Sequence, residues 1–453
     1  MNITIIGSGY VGLTTGTAFA YLGHKVTLLD IDKNKIDKLR KGISPIYENG
    51  LNNLLNEVKD NITFIDSWEN FKPDAEIIMI AVGTPSKTNG DADLTYVERV
   101  AVELGNRIED NSELVVVNKS TVPIGSASRV KAIINNILEE RKVNATIHVA
   151  SNPEFLREGE ALFDTFYPDR VIIGVDSETA KNKLHSLYQP ILEQTFISPK
   201  NIERPVGYSL PVLITTNPTS AELIKYAANS FLAMKISFIN EFANLAEKVG
   251  ADITQVARGI GLDTRIGTRF LNAGIGWGGS CFGKDTKAIL YTAKQYNSDM
   301  KLVEATIEAN YKQREVVIKK LQSILKVIRG KTIGILGLSF KPNTDDLRDA
   351  PSIDIIRKLL SLDAIVKVYD PIAMNNCKQQ HPELNIKYEE NAEGVFINSD
   401  AVVLVTEWDE FKRLPFIELG EKMNNKVIID GRNALNPDIL VKNGFIYSGI
   451  GRG

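Results

Sequence analysis

Residues 2–30 read NITIIGSGYVGLTTGTAFAYLGHKVTLLD, and this stretch decides the fold of the first half of the chain. A short apolar run leads into GSGYVG, a helical stretch follows, and a second apolar run ends at Asp30. Gly7, Gly9 and Gly12 have the GxGxxG spacing that permits a tight turn and places a pyrophosphate at a helix N-terminus. Asp30 takes the position of an acid that bonds the adenosine ribose, which favours NAD over NADP. The stretch therefore predicts an NAD-binding α/β domain.

Further apolar runs predict the remaining strands of this first sheet, and three of them end in polar residues. The runs cover residues 77–82, 114–118, 147–150 and 171–175. Thr84, Thr121 and Glu154 each come shortly after one of these runs. Ligands of parallel sheets bind at the carboxyl ends of the strands, so these side chains are candidate site residues. Glu154 and Glu158 would share one face if the segment NPEFLREG is helical.

One long helix is predicted near the middle of the chain. Residues 220–249 contain neither glycine nor proline, and Thr219 with Glu222 fits a capping box at the start. A helix of this length would span ~45 Å, which is enough to join two domains. Lys225 and Asn229 are four residues apart, so they face the same way as a pair of donors. The apolar stripe of this helix consists of Leu223, Ala227, Phe231, Met234, Phe238, Phe242 and Leu245, and we expect a second copy of the chain to cover it.

The second half of the chain repeats the α/β pattern with a looser glycine turn. Apolar runs at residues 332–336, 365–369, 401–405 and 426–429 predict a second doubly wound sheet. Gly334 and Gly337 match the dinucleotide fingerprint only in part, which favours a nucleotide other than NAD. Lys341 and Arg348 follow that turn and are candidates for phosphate contacts. The Lys/Arg-rich residues 312–331 are interpreted as the solvated face of a helix.

Residues 270–285, FLNAGIGWGGSCFGKD, place a thiol in a glycine-rich loop. Four glycines before the cysteine, Gly274, Gly276, Gly278 and Gly279, remove side chains from the loop, so that its backbone can approach a ligand closely. Cys281 is followed by Lys284 and Asp285. A nearby cation favours ionisation of a thiol, and the thiolate is the nucleophile. The segment predicts a catalytic cysteine.

Composition excludes several classes of protein. The chain has 453 residues, 43% of them hydrophobic, and a formal net charge of −3, which gives no reason to expect a nucleic-acid partner. Its two cysteines lie far apart in sequence, no apolar run predicts a membrane span, and the first residues already form a strand. We therefore expect a cytoplasmic protein with no membrane partner. The four histidines are scattered, so neither a histidine-based catalytic site nor a metal site is predicted.

Seven segments resemble, in order, those of the UDP-glucose 6-dehydrogenases. They are GSGYVG, GTP, STVP, NPEFLREG, IKYAAN, GGSCFGKD and FKPNTDDLRDAPS, and they extend over nearly the whole chain. The resemblance implies an α/β fold with two Rossmann-like, doubly wound domains joined by a long central helix and a small helical dimerisation region. It implies an NAD-binding domain over residues 1–206, a central helical domain with the cysteine loop over 207–313, and a UDP-binding domain over 314–453.

The family's activity sets the expected chemistry and partners. Its members oxidise UDP-glucose twice, with two NAD, to UDP-glucuronate. In that reaction the cysteine adds to the intermediate aldehyde, and the thiohemiacetal is oxidised to a thioester that water hydrolyses. The resemblance also implies a homodimer or a higher homo-oligomer.

The resemblance assigns a role to individual residues of this chain. The implied catalytic residues are Cys281, Lys225, Asp285, Glu158, Glu154, Asn229 and Thr121. The implied NAD contacts are Gly7, Gly9, Tyr10, Val11, Gly12, Asp30, Lys35, Thr84, Thr121, Glu158, Lys284 and Arg348. The implied substrate contacts are Glu154, Phe155, Leu156, Arg157, Glu158, Lys225, Asn229, Arg265, Phe270, Leu271, Asn272, Ala273, Gly274, Gly278 and Lys341. In some members the arginine that Arg265 matches reaches the substrate from the partner subunit. Gly283 departs from the proline that many members have before the lysine, which loosens that turn.

Three alternatives share part of this pattern. A GDP-mannose or UDP-N-acetylhexosamine dehydrogenase would perform the same chemistry on another sugar. A 3-hydroxyacid dehydrogenase would share the first domain and the long helix, but it would have no use for Cys281 or a second nucleotide-binding domain. A non-catalytic UDP-sugar binding protein would have lost the thiol, the lysine or the aspartate, and all three are present.

Overall fold

The computed structural model describes residues 1–452 and separates into two compact units. The first contains Met1–Ala227 with Lys294–Tyr296, and the second contains Ala228–Ala293 and the chain from Asn297 onward. Each unit is built around its own sheet, so the predicted pair of Rossmann-like α/β domains is confirmed. The boundaries of three domains remain a prediction.

The first unit contains an eight-stranded sheet in the order β3-β2-β1-β4-β5-β6-β7-β8. Its strands are β1 (Asn2–Ile6), β2 (Lys25–Leu29), β3 (Ile62–Ile65), β4 (Ile77–Ile80), β5 (Glu113–Asn118), β6 (Thr146–Ser151), β7 (Arg170–Gly174) and β8 (Val212–Thr216). All neighbours are parallel except β6 and β7, which meet antiparallel at one residue pair. The strand order reverses beside β1, and the GSGYVG turn follows that strand, at the point where doubly wound sheets bind nucleotides.

Helices cover both faces of this sheet. They are α1 (Tyr10–Tyr21), α2 (Lys33–Arg40), α3 (Leu51–Glu57), α4 (Thr95–Arg107), α5 (Ser126–Arg141), α6 (Ala161–Phe166) and α7 (Glu178–Glu193), with one 3₁₀ turn at Trp68–Asn70. Successive residues of the central strands enter two different cores: Val115 and Val117 pack on one face, and Val116 packs on the other. Two buried faces explain why these strands read as continuous apolar runs.

The predicted long helix is α8 (Pro218–Val249), and it is 32 residues long. Its predicted capping box is wrong. The Asn217 side chain accepts the amide of Ser220 at 2.7 Å and so caps the helix two residues earlier than expected. Glu222 is 3% exposed and bonds groups outside its own helix.

The second unit contains a six-stranded parallel sheet in the order β11-β10-β9-β12-β13-β14. Its strands are β9 (Thr332–Leu336), β10 (Ile365–Tyr369), β11 (Lys387–Tyr388), β12 (Ala401–Leu404), β13 (Val427–Asp430) and β14 (Ile446–Gly449). The helices after α8 are α9 (Ile253–Gly261), α10 (Phe282–Gln295), α11 (Lys301–Leu325), α12 (Pro351–Ser361), α13 (Met374–Gln380), α14 (Phe416–Gly420) and α15 (Pro437–Lys442), with 3₁₀ turns at Ala392–Val395 and Phe411–Arg413. The second doubly wound sheet is therefore confirmed. The interpretation of residues 312–331 as a solvated helix face is wrong at Arg314, which is 5% exposed.

None of the helices in residues 1–452 combines the length and the apolar character that a membrane span requires.

Candidate active site

The turn after β1 has the shape that a dinucleotide requires. Gly7 has φ +107°, and a Cβ there would lie 2.5 Å from the carbonyl oxygen of Ala81. A Cβ at Gly12 would lie 1.9 Å from the carbonyl oxygen of Gly7. Both positions therefore require glycine, and the bare turn leaves the amino end of α1 accessible to a pyrophosphate. This cradle fits NAD.

Hydrogen bonds from neighbouring residues hold the Asp30 carboxylate at the end of β2. Its carboxylate accepts the amide and the hydroxyl of Ser8 at 2.8 and 2.6 Å, and the amide of Asp32 at 3.0 Å. Burial alone would raise the pKa of Asp30, but these hydrogen bonds and the charge of Lys35 outweigh it and hold the pKa below its ordinary value. The group is a carboxylate at neutral pH, as repulsion of a 2′-phosphate requires.

The polar residues after the next strands also meet. The Thr84 hydroxyl donates to the carbonyl oxygen of Thr121 at 2.8 Å, which joins two of the loops at the carboxyl edge of the sheet. Lys35 lies at the surface, 3.9 Å from Asp32.

Glu154 and Lys225 form a buried ion pair in the first unit. The Lys225 ammonium lies 3.0 Å from Glu154 Oε1, and the two side chains are 4% and 7% exposed. The amide of Leu156 donates to the other carboxylate oxygen at 2.6 Å. Burial opposes ionisation of Glu154, but the charge of Lys225 and these hydrogen bonds hold its pKa below the ordinary value. The pair is therefore charged. Removing each ion from water costs on the order of several kcal/mol, and the attraction between the two charges offsets this cost.

The segment around Glu154 is not helical. Residues 152–157 form an irregular loop after β6, and helix begins only at Ala161. The condition under which Glu154 and Glu158 would share a helix face is therefore not met. Pro153 disfavours helical geometry in the residue before it, and Glu154 is held by its ion pair. Within this loop the Phe155 ring lies 3.9 Å from the Arg170 guanidinium carbon and 5.3 Å from the Lys225 ammonium.

Two buried carboxylates that the sequence did not reveal as site residues hold these loops. Glu48 accepts the amides of Gly159 and Leu162 at 2.9 and 3.2 Å, at the end of the NPEFLREG segment and the start of α6. Glu222 accepts the amides of Gly125 and Ala127 at 2.6 and 2.9 Å, at the start of α5. Burial raises the pKa of both carboxyl groups, that of Glu48 to about 7. A carboxylate that bonds a distant helix start leaves no local pattern in the sequence, so spacing could not find either residue.

Cys281 lies at the amino end of α10 in the second unit. It is half-buried and unoxidised, its sulfur is 3.6 Å from the Ser280 hydroxyl, and its carbonyl oxygen accepts the first intrahelical bond from Asp285. The positive end of a helix dipole favours a thiolate at this position. The predicted loop therefore places its thiol at a position where a nucleophile would be activated.

Asp285 is almost fully buried and is held by two of the predicted site residues. The Asn229 side chain donates to Asp285 Oδ2 at 2.6 Å, and the Lys284 ammonium lies 3.0 Å from Asp285 Oδ1. The structure thus brings Asn229 and Lys284 to Asp285, and Asp285 lies in the first turn of α10, just after Cys281. Their assignment to catalysis and cofactor binding stays a prediction.

Three side chains of α11 hold the glycine-rich loop that leads to Cys281. Asn310 accepts the amide of Trp277 at 2.7 Å and donates to its carbonyl oxygen at 3.0 Å. Gln313 donates to the carbonyl oxygen of Gly274 at 2.8 Å. Arg314 donates to the carbonyl oxygen of Trp277 at 2.9 Å. Sequence reasoning missed all three, although their spacing of three and four residues places them on one helix face.

Arg314 also binds the segment that follows the second glycine turn. Its guanidinium donates to the side chain of Asp349 at 2.9 Å and to its backbone carbonyl at 3.1 Å, and it contacts Asp354. Asp349 has φ +51°, and a Cβ on Gly278 would lie 2.4 Å from its carbonyl oxygen. A Cβ on Gly283 would lie 2.9 Å from the Asp349 carboxylate. Gly283, at the position where many family members have proline, is therefore closely packed.

The second glycine turn differs from the first in how deeply the acid bound to it is buried. Asp370, at the end of β10, is fully buried and accepts the amides of Leu338 and Ser339 at 2.8 and 3.1 Å. The indole of Trp408 donates to the same oxygen at 3.2 Å. No part of Asp370 is accessible to a ribose.

The remaining predicted residues of the second unit lie in two groups. Lys341 and Arg348 follow the second turn; Arg348 pairs with Asp346 at 2.8 Å, and its carbonyl oxygen accepts the amide of Gly279. Arg265 is 86% exposed and pairs with Asp263 at 2.6 Å. In the segment before the cysteine, Leu271, Ala273, Gly274 and Gly278 are buried, Asn272 is exposed, and Phe270 has φ +64°.

Metal ligation has no visible basis in residues 1–452, where no three histidine, cysteine, aspartate or glutamate side chains cluster at a spacing suited to an ion.

The fold contains two mostly parallel sheets flanked by helices. It also contains an NAD cradle with an ionised Asp30, and a cysteine at a helix start. Together these features define the class of an NAD-dependent dehydrogenase. Three family models match in order. They are the UDP-glucose/GDP-mannose dehydrogenase family NAD-binding domain over residues 1–192, its central domain over 219–312 and its UDP-binding domain over 334–437. The chain belongs to the UDP-glucose/GDP-mannose dehydrogenase family.

Curated relatives are similar over their full length. The chain is 44% identical to the UDP-glucose 6-dehydrogenase YwqF of Bacillus subtilis, with 100% of this chain and 98% of the relative covered. It is also 44% identical to a UDP-glucose 6-dehydrogenase of Rhizobium meliloti, with 100% of both chains covered.

Solved structures show the same fold. A UDP-glucose dehydrogenase from Pyrobaculum islandicum superposes with a TM-score of 0.87 at 34% identity, covering 100% of this chain and 98% of that chain. A UDP-D-ManNAc dehydrogenase from Pyrococcus horikoshii gives a TM-score of 0.84 at 28% identity, covering 100% of both chains.

Proposed function

We propose that this protein oxidises UDP-glucose to UDP-glucuronate in two NAD-dependent steps through a covalent intermediate on Cys281. The observation that carries the proposal is the thiol at the start of α10, close in sequence to a buried Asp285 that Asn229 and Lys284 hold. The full-length similarity to UDP-glucose 6-dehydrogenases supports the choice of substrate.

The chemistry divides between the two oxidations. Bound NAD accepts a hydride in each of them. In the first, the C6 alcohol loses a hydride and a proton and becomes an aldehyde. The Cys281 thiolate then adds to the aldehyde carbon, and the oxygen takes up a proton to complete a thiohemiacetal. Loss of a second hydride and that proton gives a thioester, and water releases the carboxylate and the thiol.

The charged residues suit the oxygen chemistry of these steps. Lys225 and Asn229 are proposed to donate to the oxygen at C6 as negative charge develops on it. Asp285 is proposed to exchange the proton, and Glu154, Glu158 and Thr121 to hold the water that attacks the thioester. The buried pair of Glu154 and Lys225 supports this reading, because a charged pair in a dry site acts strongly on a nearby oxygen.

A second copy of the chain is proposed to cover the apolar stripe of α8. Phe231, Phe238, Phe242 and Leu245 are 58%, 44%, 44% and 53% exposed, and the ring centroids of Phe238 and Phe242 lie 4.7 Å apart with the rings tilted by 43°. Such a contiguous exposed patch favours association, so a dimer or a multiple of dimers is expected. The exposed Arg265 is proposed to reach the substrate of the partner. Two free thiols agree with the proposed cytoplasmic location.

The deciding experiment combines a substrate panel with reaction stoichiometry. NADH formation is measured with UDP-glucose, UDP-N-acetylmannosamine and GDP-mannose, and the nucleotide product is identified by mass. We expect UDP-glucose to be preferred, with about two NADH per sugar, as a double oxidation through a thiol requires. A preference for either of the other two sugars would replace the proposed substrate.

The matched variants test the thiol. Cys281→Ala should stop at the aldehyde, and Cys281→Ser should stop there or at a slowly hydrolysed ester, because an unassisted hydroxyl is scarcely ionised near neutral pH. Two NADH per sugar at an undiminished rate from Cys281→Ala would exclude the covalent mechanism.

A further inference from the structure

Carboxylates hold the backbone on both sides of Glu158. The amide of Gly159, which follows Glu158, donates to Glu48 Oε2 at 2.9 Å. The amide of Arg157, which precedes Glu158, donates to Asp164 Oδ2 at 2.7 Å. Gly159 has φ +83°, so the chain turns directly after Glu158 in a conformation that favours glycine. The residues before and after Glu158 are therefore each bonded to an acidic side chain of the first unit.

Each of the two carboxylates makes further bonds to the same turn. Glu48 is 8% exposed, and its Oε1 accepts the amide of Leu162 at 3.2 Å. The side chain of Asp164 is 13% exposed, and it accepts the Nε and Nη2 groups of Arg157 at 3.0 and 2.6 Å. The turn cannot shift without breaking several hydrogen bonds, and those to Glu48 are buried.

The segment that carries Glu48 is itself bonded to the NAD turn. The Tyr10 hydroxyl, from the GSGYVG turn, donates to the carbonyl oxygen of Tyr47. The amide of Leu51 donates to the carbonyl oxygen of Glu48 at 3.3 Å, and the Leu51 side chain is fully buried. Glu48 therefore connects the turn around Glu158 with the turn that forms the NAD cradle.

We propose that Glu48 and Asp164 are positioning residues that hold Glu158 in the orientation it needs for the reaction. The inference rests on the proposed function, in which Glu158 holds the water that attacks the thioester. A base acts only within hydrogen-bond reach of the proton it removes, and a misplacement of about 1 Å can lower a rate about a hundredfold. Glu48 and Asp164 act through Glu158 and do not themselves contact the reacting atoms. The alternative is that both carboxylates only stabilise the fold of this loop.

Single-turnover kinetics measure the step in which Glu158 is proposed to act. The enzyme is mixed with UDP-glucose and excess NAD, NADH formation is followed, and the thioester on Cys281 is detected by mass after an acid quench. Glu48→Leu and Asp164→Leu each remove both acceptor oxygens, so thioester hydrolysis should slow by about tenfold or more and the thioester should accumulate. Glu48→Gln and Asp164→Asn each leave one acceptor oxygen. They serve if the leucine variants do not fold, and they should give a smaller effect in the same direction.

A double-mutant cycle separates positioning from loop stability. If Glu48 acts through Glu158, Glu48→Leu should slow hydrolysis much less in a Glu158→Gln background than in the wild-type background. Ser177→Ala is the matched control, because it removes the bond at 3.1 Å from the Ala180 amide that caps α7 in the same unit. This control should leave the hydrolysis rate unchanged. Unchanged hydrolysis in the Glu48 variants, equal slowing in both backgrounds, or equal slowing in Ser177→Ala would overturn the proposal.

Glu158→Gln alone tests the proposed function separately. If hydrolysis keeps its wild-type rate in this variant, or if no thioester forms at all, the proposed role of Glu158 falls. Hydrogen exchange of residues 157–162 then decides whether Glu48 holds the turn. Faster exchange in Glu48→Leu than in Ser177→Ala would support the holding of Glu158, and equal exchange would overturn it as well.

Discussion

Replacing Arg314 by alanine tests whether α11 holds the cysteine loop. The guanidinium is 5% exposed and bonds Trp277, Asp349 and Asp354. Breaking a buried ion pair typically costs about 3–5 kcal/mol, because one charge remains buried without a partner. Here the two aspartates are 25% and 44% exposed and can recover water, so the loss should be smaller, about 2–3 kcal/mol.

The assay compares Arg314→Ala with a variant on the same helix. Lys312 is 72% exposed and pairs with the nearby Glu308, so Lys312→Ala should change the free energy of unfolding by less than about 0.5 kcal/mol. Urea unfolding gives both values. Iodoacetamide labelling of Cys281 gives the local effect, and it should accelerate in Arg314→Ala because the loop opens more often. Equal stability and equal labelling rates in the two variants would refute the role assigned to Arg314.

Three further outcomes are expected. Asp30→Asn should lower the NAD/NADP ratio of kcat/KM at least about tenfold, because a neutral amide no longer repels a 2′-phosphate; an unchanged ratio would contradict the role of Asp30. Phe238→Ser combined with Phe242→Ser should halve the mass found by light scattering, and a monomeric wild type at micromolar concentration would dismiss the α8 interface. Because the pKa of Glu48 rises from 4.5 to about 7 in the folded protein, its contribution to stability is complete below pH 4.5 and is lost as pH rises through 7. As the pH rises from 5 to 8, the free energy of unfolding of Glu48→Gln should therefore increase relative to that of wild type, by about 3 kcal/mol in total. A difference that stays constant with pH would disprove the pKa shift.

The sequence was sufficient to predict those features in which a residue acts on its immediate neighbours. The apolar runs predicted the central strands within one or two residues, and the GSGYVG turn predicted the NAD cradle, because backbone shape and side-chain periodicity are local properties. Strands β3, β8, β11 and β14 were missed. They are short and lie at or near a sheet edge, where partial exposure weakens the apolar pattern.

The supports of the candidate site could not be predicted in the same way. Glu222 reads as a cap of its own helix, yet its carboxylate bonds amides about a hundred residues earlier in the chain. Arg314 lies in a Lys/Arg-rich stretch that looks solvated. Their roles depend on which distant backbone groups the fold brings to them. A single sequence carries no signal for that choice.

In both sheets, the acid at the end of the strand that follows the glycine turn forms hydrogen bonds with that turn. Asp30 accepts the amide and hydroxyl of Ser8, and Asp370 accepts those of Ser339; each also accepts the amide two residues further on. The same fastening at equivalent places is what descent from one duplicated βαβ ancestor would leave behind. In the second sheet the Trp408 indole also donates to the acid. The acid therefore fastens the turn in both sheets, so this role does not depend on which nucleotide a turn binds.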